Sequence, residues 1–423
     1  MFVIRQAAIP EVGESDIVID HGHIVEVVEH YDGDYESEYN AKGLFAFPGG
    51  IDMHVHFRIP GNPEKENWVS GSRVALAAGY TTVCDMPNTT PATISVRAVE
   101  EKKALIQRDA KVRAELYIGA TSDNLDEIIA AQDMVCGVKV YYGTSTGNLT
   151  MNDPEALREL FEARLRVPIV IHAEDDACIE KHAQELATYS GVDKHSKVRD
   201  KDAAITAVRD IIALIKETGA TNVHITHVTT AEEIALIQQA QNEGVHITCD
   251  VAPHHLTFTI DDYERLHGQL QVNPPVRTHE DVEALWQGIR AGVVSCIASD
   301  HAPHTLKEKK SDHAPSGIPS LHVELLLLLE HASSDFSYAD IMHLTSTFPA
   351  QLLGFTDRGA IEKGKRADIT LIDPAIHTSI TKENMHSACG WSPWKGKTFS
   401  HSIAATFVDG QLFYERGHFT YDI

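Results

Sequence analysis

The spacing of apolar residues divides the chain into three parts. Up to about residue 47, short alternating segments such as FVIRQAAI and DIVIDHGHIVEVVE are separated by Gly and Asp turns, which predicts small strands. From about Ile51 to Leu352, short β-rich runs such as TTVCDMP and VPIVIHAED alternate with helical stretches such as ISVRAVEEKKALIQRDA. The remaining carboxyl-terminal part returns to strand patterns, including ADITLIDP and AATFVDG.

This order of elements predicts an α/β fold. Alternating strands and helices imply a parallel sheet, and roughly eight strands over about 300 residues favour a closed (β/α)8 TIM-type barrel. The two β-rich ends bracket the barrel, so we expect them to form one small β-sandwich domain together. The predicted boundaries are 49–354 for the barrel, and 1–48 with 355–423 for the β domain. The charged, turn-rich segment 307–320 is interpreted as a long loop.

Composition and charge narrow the classes of function. Of 423 residues, 43% are hydrophobic and 23% charged, which is typical of a soluble globular protein. With 36 basic and 61 acidic residues, the net charge of −25 disfavours nucleic acid or an anionic membrane as partner. A few well-placed arginines can still bind an anionic substrate.

Cysteines and apolar runs bear on the cellular compartment. The six cysteines are scattered without a C-x-x-C pair, which is typical of reduced thiols, so we expect a cytoplasmic protein. The first residues lack the apolar run of a secretory signal. The longest apolar run, Leu325 to Leu329, is too short to span a membrane.

Histidine is unusually frequent, with 25 residues, and the first candidate site is the segment DMHVH. On a strand, His54 and His56 would point to the same side, with Val55 facing away. Two imidazoles at this spacing can bind a transition metal. The H-x-H pattern alone fits two ordinary histidines equally well.

Four further polar residues are candidates. His172, His227 and Asp300 lie where predicted strands end, and Lys139 lies within a predicted strand where alternation makes it face inward. In this type of barrel, active sites lie at the carboxyl ends of the strands. Together with the histidine pair they offer six ligands, too many for one tetrahedral zinc and suited to two metals. Lys139 could bridge two metals only as a neutral amine that has reacted with carbon dioxide, which burial would favour.

Other histidines give weaker signals. His224 and His246 lie within strand patterns and are interpreted as packing residues or as residues that support the ligands. The pair His254 and His255 is compatible both with a loop near the site and with no role there.

The combined motifs resemble the amidohydrolase superfamily and, within it, the dihydroorotases. The match runs through GGIDMHVHFRIPG, TTVCDMPNTTP, GVKVYYGTSTGN, IHAED, ITHVTTAEEI, CDVAPHHL, VNPPVRT and SDHAPHT. The resemblance implies two Zn²⁺ ions per subunit with a hydroxide between them. It assigns His54, His56 and Asp300 to the more buried metal and His172 with His227 to the other, bridged by Lys139 as N6-carboxylysine.

The resemblance also implies a substrate pocket. In dihydroorotases, residues matching Arg58 and Asn88 hold the carboxylate of the substrate, His304 resembles a third carboxylate contact, and Asn273 resembles a pocket residue. Asp300 would act as the catalytic base and then as the acid.

This sequence departs from the family pattern at two places. Ile59 replaces a frequent Glu, and Ser316 replaces an aromatic residue before Gly317. The second departure weakens any expectation of substrate contacts by Ser316 and Gly317.

The implied reaction is the reversible hydrolysis of L-dihydroorotate to N-carbamoyl-L-aspartate in de novo pyrimidine biosynthesis. A homodimer is expected from the family, and association with aspartate transcarbamoylase is left open. Hydantoinases, dihydropyrimidinases and allantoinases are the nearest alternative, since they share the metal ligands but generally lack the Arg58 and Asn88 combination. A non-catalytic homologue is a further alternative, but it would be expected to have lost ligands.

Overall fold

The computed structural model describes residues 1–144 and 149–421. Residues 145–148, at the end of the motif GVKVYYGTSTGN, and 422–423 lie outside the described residues. The chain begins with five short strands: β1 (Phe2–Ile9), β2 (Gly13–Asp20), β3 (His23–Val28), β4 (Ser37–Asn40) and β5 (Phe45–Pro48). Eight strands follow at longer intervals: β6 (Gly50–Val55), β7 (Tyr80–Asp85), β8 (Arg113–Gly119), β9 (Gly137–Tyr142), β10 (Ile169–Ala173), β11 (Val223–Ile225), β12 (Ile247–Val251) and β13 (Cys296–Ile297).

Strands β6 to β13 form a barrel. Each pairs in parallel with the next strand along the chain, so the spatial order equals the sequence order. Residues that follow β13 close the ring against β6: the His56 amide donates to the His301 carbonyl oxygen at 2.8 Å, and Val55 bridges His301 in parallel. The predicted TIM-type barrel is confirmed.

Helices connect the barrel strands and follow them. The α-helices are α1 (Trp68–Ala77), α2 (Val96–Asp109), α3 (Leu125–Ala131), α4 (Pro154–Glu162), α5 (Asp176–Glu185), α6 (Lys194–Val198), α7 (Lys201–Thr218), α8 (Ala231–Asn242), α9 (Tyr263–Leu266), α10 (His279–Arg290), α11 (Leu306–Lys309), α12 (Glu324–Glu330), α13 (Tyr338–Met342) and α14 (Phe348–Leu352). Short 3-10 turns cover Ile260–Asp262, His267–Leu270 and Leu321–Val323, and a π turn covers His343–Thr347.

Local sequence explains where these helices begin and end. The Asp200 side chain caps the first turn of α7, and Gly219 ends that helix in the left-handed conformation, which glycine adopts without a steric penalty. Thr230 and Glu233 form a capping box at the start of α8. The apolar face of α7, which includes Val208 and Ile211, is buried in the main core.

Along a barrel strand, successive side chains face alternately the main hydrophobic core and the interior of the barrel. In β9, Val138 and Val140 pack in the main hydrophobic core, so Lys139 between them faces the other side. The residues of β6 and β7 are buried throughout, as expected for parallel strands covered on both faces.

The remaining strands belong to the carboxyl-terminal part: β14 (Ile369–Asp373), β15 (Thr378–Ser379), β16 (Thr398–Phe399), β17 (Ser402–Val408), β18 (Gln411–Glu415) and β19 (His418–Phe419). Within the part of the chain that the structure describes, β15 and β16 form a separate two-stranded sheet. Strands β14, β17, β18 and β19 join β1–β5 in one nine-stranded sheet. Hydrogen bonding in it follows the order β19-β18-β17-β14-β5-β1-β2-β3, with β4 beside β1. This sheet has its own apolar cluster, which contains Ile4, Ile17, Ile369 and Phe407.

A β domain built from both termini is therefore confirmed, and the residue boundaries stay a prediction. β5 ends in the sheet at Pro48, and β6 begins in the barrel at Gly50. The segment around Ser387 and Trp391 contacts the barrel: the Ser387 hydroxyl donates to Glu66 at 2.5 Å, and the Trp391 indole donates to the His304 carbonyl oxygen at 2.7 Å. No helix within the described residues is both long and apolar enough to cross a bilayer.

Candidate active site

Three of the predicted ligands meet at the carboxyl end of the barrel. The Nε2 atoms of His54 and His56 lie 3.2 Å apart, and Asp300 Oδ1 lies 3.3 Å from each of them. His54 lies within β6, His56 directly follows it, and Asp300 follows β13, so the ring closure of the barrel brings them together. All three are buried. The arrangement offers two nitrogens and one oxygen to a single metal ion.

The second pair of predicted ligands lies beside this group. His172 Nδ1 is 3.1 Å from His227 Nε2, and the His227 ring lies 5.5 Å from that of His54. Burial lowers the pKa of His54, His56, His172 and His227, so these imidazoles are neutral, the form that binds a metal.

Lys139 lies in the same space without a hydrogen-bond partner for its amine among the described residues. Its side chain is fully buried, and Nζ lies 5.3 Å from the centre of the Tyr141 ring. Burial lowers the pKa of Lys139, and the nearby Asp250 and Asp300 carboxylates oppose this shift only in part. Burial therefore favours the neutral, nucleophilic form of this amine beside the candidate ligands.

Further residues hold the ligands, and the sequence interpretation did not identify them. The Thr226 hydroxyl lies 2.8 Å from His54 Nδ1, and Glu174 Oε2 lies 3.0 Å from His172 Nε2. Arg199 Nη2 in turn donates to Glu174 at 2.6 Å. Such partners fix which ring nitrogen faces a metal. Glu174 carried a signal, because it lies two residues after His172, the same spacing as the histidine pair.

The remaining histidines differ from one another in burial and in hydrogen-bond contacts. His224 is buried and lies 2.9 Å from Asp250 through Nε2, while Asp250 accepts the backbone N–H of His227 at 2.6 Å, so the interpretation as a supporting residue agrees with its contacts. The packing interpretation of His246 is wrong, because it is exposed one residue before β12 begins. His255 Nε2 lies 2.9 Å from the Pro274 carbonyl oxygen. His254 is buried against the His255 ring, with 4.2 Å between the ring centres, and its ring nitrogens have no hydrogen-bond partner among the described residues.

Three site residues have a left-handed backbone: Arg58 (φ 61°), His227 (φ 42°) and Asp300 (φ 45°). Non-glycine residues adopt this conformation at a cost of about 1–3 kcal/mol. At each of these three positions the chain leaves the barrel rim.

The ligand groups line one cleft. Its wall includes Arg58, Asn88, Asn273, Ser316 and Gly317. Asn88 Oδ1 lies 2.7 Å from His56 Nδ1, so this residue also orients a candidate metal ligand. Asn273 Oδ1 lies 2.9 Å from His195 Nε2. Thus Arg58, Asn88 and Asn273, which are predicted to contact the substrate, face the cleft together with Ser316 and Gly317.

His304 occupies a different place. It is not among the residues that line the cleft and lies behind Arg58, with Nε2 3.2 Å from Arg58 Nη2. The same ring nitrogen lies 3.1 Å from the Ser316 carbonyl oxygen. Its predicted contact with a substrate carboxylate stays a prediction, and its observed contact is with the residue that would bind that carboxylate.

Comparison with known proteins agrees with this geometry. The family model described as the amidohydrolase family matches residues 45–413, which include every candidate ligand. The chain belongs to the amidohydrolase family. A binuclear metal site is typical of that family, and the buried nitrogen and oxygen groups fit such a site here.

Relatives and solved structures point to two related groups of amidohydrolases. The dihydroorotase of Halobacterium salinarum is 35% identical over 401 residues, covering 94% of this chain and 92% of that protein. That of Enterococcus faecalis is 32% identical and covers 94% of each. Among solved structures, L-hydantoinase (dihydropyrimidinase) from Arthrobacter aurescens superimposes with a TM-score of 0.95 at 26% identity, covering 100% of this chain and 97% of that one.

Proposed function

We propose that this amidohydrolase is a dihydroorotase that interconverts L-dihydroorotate and N-carbamoyl-L-aspartate. The observation that carries the proposal is Arg58, which is 7% exposed and lines the cleft beside the metal-binding group. Its Nε donates to the Pro303 carbonyl oxygen at 3.2 Å, and a buried guanidinium at the wall of the cleft suits an anionic ligand. Its planar fork matches a carboxylate, which the dihydroorotate ring bears.

The proposed cofactor is a pair of Zn²⁺ ions. His54, His56 and Asp300 would hold one ion, and His172 with His227 the other. Their contact distances and neutral imidazoles support this assignment. When bound, the two ions would polarise the ring carbonyl and lower the pKa of a water molecule.

Lys139 is proposed to bridge the two ions as N6-carboxylysine. In that reaction the neutral amine nitrogen bonds to the carbon of carbon dioxide and loses one proton. The carbamate then presents two oxygen atoms and one negative charge. A buried amine without a hydrogen-bond partner among the described residues supports this modification, since a lysine kept as a cation would be paired.

Asp300 is proposed to move the proton. In hydrolysis, a water oxygen bonds to the ring carbonyl carbon, and the bond between that carbon and the ring nitrogen breaks. Asp300 would accept the proton that the water loses and deliver it to the departing nitrogen. Burial raises the pKa of Asp300 against the opposing effect of Lys139, which brings it closer to the range of a group that exchanges protons. Arg58 and Asn88 would hold the ring in place.

A second candidate function is that of a hydantoinase or dihydropyrimidinase, supported by the similarity to the solved L-hydantoinase. These proteins act on related cyclic amides. Arg58 distinguishes the candidates, since a ring without a carboxylate would offer no anion to the guanidinium. A non-catalytic homologue is disfavoured because all six ligand positions are present and converge.

The test is a substrate panel of L-dihydroorotate, hydantoin, dihydrouracil and allantoin, with zinc analysis on the same samples. We expect L-dihydroorotate to be the preferred substrate. Arg58→Met should lower kcat/KM for it by roughly 100-fold, because two charge-assisted hydrogen bonds are lost, with little effect on neutral rings. Arg97→Met, an exposed arginine far from the cleft, is the matched control. Preference for a neutral ring by the wild-type protein would contradict the proposal.

A further inference from the structure

The ring of His304 lies between two cationic side chains. Lys65 Nζ is 3.2 Å from His304 Nδ1, and Arg58 Nη2 is 3.2 Å from His304 Nε2. Lysine and arginine side chains carry only hydrogen-bond donors, while a neutral imidazole has one acceptor nitrogen. Both contacts therefore cannot be hydrogen bonds at the same time, and the position of the ring proton decides which one forms.

The other contacts of His304 favour one tautomer. Nε2 has an acceptor within reach, the Ser316 carbonyl oxygen at 3.1 Å. With the proton on Nε2, the ring donates to Ser316 and accepts from Lys65 through Nδ1, so both ring nitrogens are satisfied. Burial and the cations of Arg58 and Lys65 lower the pKa of His304, which keeps the ring neutral.

Lys65 is held firmly in this position. Its Nζ also lies 2.9 Å from Glu308 Oε1, and Glu308 is fixed by the Thr305 hydroxyl at 2.8 Å in the capping box of α11. The Lys65 side chain is only 14% exposed. Water therefore competes little for the ammonium, and its contact with Nδ1 persists.

We propose that Lys65 is a positioning residue that selects the Nε2–H tautomer of His304 and so keeps the Arg58 guanidinium available to a carboxylate in the cleft. Without Lys65, the proton can move to Nδ1, and Nε2 then accepts from Arg58. A charge-assisted bond from Arg58 is stronger than the bond to the Ser316 carbonyl, so this arrangement is favoured. The Arg58 Nη2 group would then be committed to His304 and less available to a carboxylate in the cleft. The tautomer selection stands on geometry alone, and the effect on carboxylate binding rests on the proposed function.

The first test reads the tautomer directly. Protein labelled with ¹⁵N in histidine, observed by NMR at neutral pH, gives separate shifts for protonated and unprotonated ring nitrogens; the His304→Gln variant identifies the relevant signals. We expect Nε2–H in the wild type, a shift toward Nδ1–H in Lys65→Met, and retention of Nε2–H in Lys65→Arg. An Nδ1–H wild type, or an unchanged tautomer in Lys65→Met, would overturn the proposal.

The second test measures binding of the carboxylate. Lys65→Met should raise KM for L-dihydroorotate by roughly tenfold with little change in kcat, and leave KM for a neutral ring unchanged; Lys65→Arg should restore the wild-type value. Lys307→Met, which removes an exposed charge from α11 next to Glu308, is the control. Equal KM changes for charged and neutral rings would contradict the link to Arg58. If the wild type does not hydrolyse L-dihydroorotate, the proposed function fails, while the NMR result still decides the role of Lys65.

Discussion

The terminal sheet and the barrel mouth both bury charged groups, but they satisfy them differently. In the sheet, Arg5 Nη1 lies 2.6 Å from Asp16 Oδ2, and the same carboxylate accepts the backbone N–H groups of Gln6 and Tyr31 at 2.9 Å each. In the barrel mouth, the fully buried Lys139 has no hydrogen-bond partner for its amine among the described residues.

This difference distinguishes the charged groups that stabilise the sheet from those that we propose to serve function in the barrel mouth. A buried charge costs free energy unless it is paired and hydrogen-bonded. Pairs such as Arg5 with Asp16 are complete within the protein, so removing one member takes away a buried partner of the other. In the barrel mouth, the candidate histidines, Lys139 and Asp300 converge, but they do not satisfy all of one another's hydrogen-bonding groups. We therefore expect substitutions in the barrel mouth to abolish function with little loss of stability, and substitutions in the sheet to do the reverse.

The largest expected effect is on turnover in Asp300→Ala. If Asp300 transfers the proton and binds a metal, kcat should fall by roughly 10³-fold or more. The thermal unfolding midpoint of the metal-free protein should stay unchanged or rise, since a buried carboxylate has been removed. Stopped assays and thermal unfolding of the same preparation measure both quantities. Asp312→Asn, an exposed residue of the same loop region, is the control. Near-normal turnover in Asp300→Ala would rule out the proposed role.

Lys139→Ala should have the next largest effect, and Lys102→Met offers the contrast within the barrel. Lys102 is also buried, but its Nζ is 2.5 Å from Asp85 and donates to the Met86 carbonyl oxygen at 3.0 Å. Lys139→Ala should lower zinc content and reduce kcat roughly 100-fold or more, because a bridging ligand is lost. A short carboxylic acid should restore part of both, since it can supply the two missing oxygens.

Lys102→Met should instead lower the free energy of unfolding by about 3 kcal/mol, because Asp85 is left buried without its cation. Metal analysis and denaturant unfolding of both variants separate the two cases. Full zinc occupancy in Lys139→Ala without rescue would exclude the bridge.

The candidate ligands could be predicted to lie together because their positions follow from strand geometry. His172, His227 and Asp300 each end or follow an apolar strand, and parallel strands bring their carboxyl ends to one rim. Lys139 was predicted from alternation alone, since its two valine neighbours pack outward. These inferences need only the periodicity of the backbone.

Residues outside the strands could not be placed in this way. The position of His304 behind Arg58, and the contact of Lys65 with it, depend on the paths of two loops and on side-chain rotamers. Thr226 and Asp250 support the ligands through single hydrogen bonds that no spacing indicates. His246 was misinterpreted because the strand pattern VHITCDV begins at Val245, whereas β12 begins two residues later, at Ile247.

The smallest expected effect on activity, and a clear effect on stability, comes from Asp16→Ala in the terminal sheet. This change leaves Arg5 without its closest partner and removes the acceptor of two backbone N–H groups. The free energy of unfolding should fall by about 3 kcal/mol, while kcat and KM of the folded protein stay unchanged. Asp20→Ala, a more exposed aspartate of the same strand, should change stability by about 1 kcal/mol or less.

The stability difference between the wild type and Asp16→Ala should depend on pH. Burial alone would raise the pKa of Asp16, but the hydrogen bonds from Tyr31, Gln6 and Arg5 outweigh it, so the pKa is lowered in the folded protein. Its stabilising contribution is therefore complete above the unfolded pKa of about 3.9 and is lost as the pH falls through the folded value. The stability gap between the wild type and Asp16→Ala should be constant from pH 7 to 5 and shrink below about pH 4. Denaturant unfolding across this range measures the gap, and a gap that widens on acidification would show that Asp16 is not stabilised as a carboxylate.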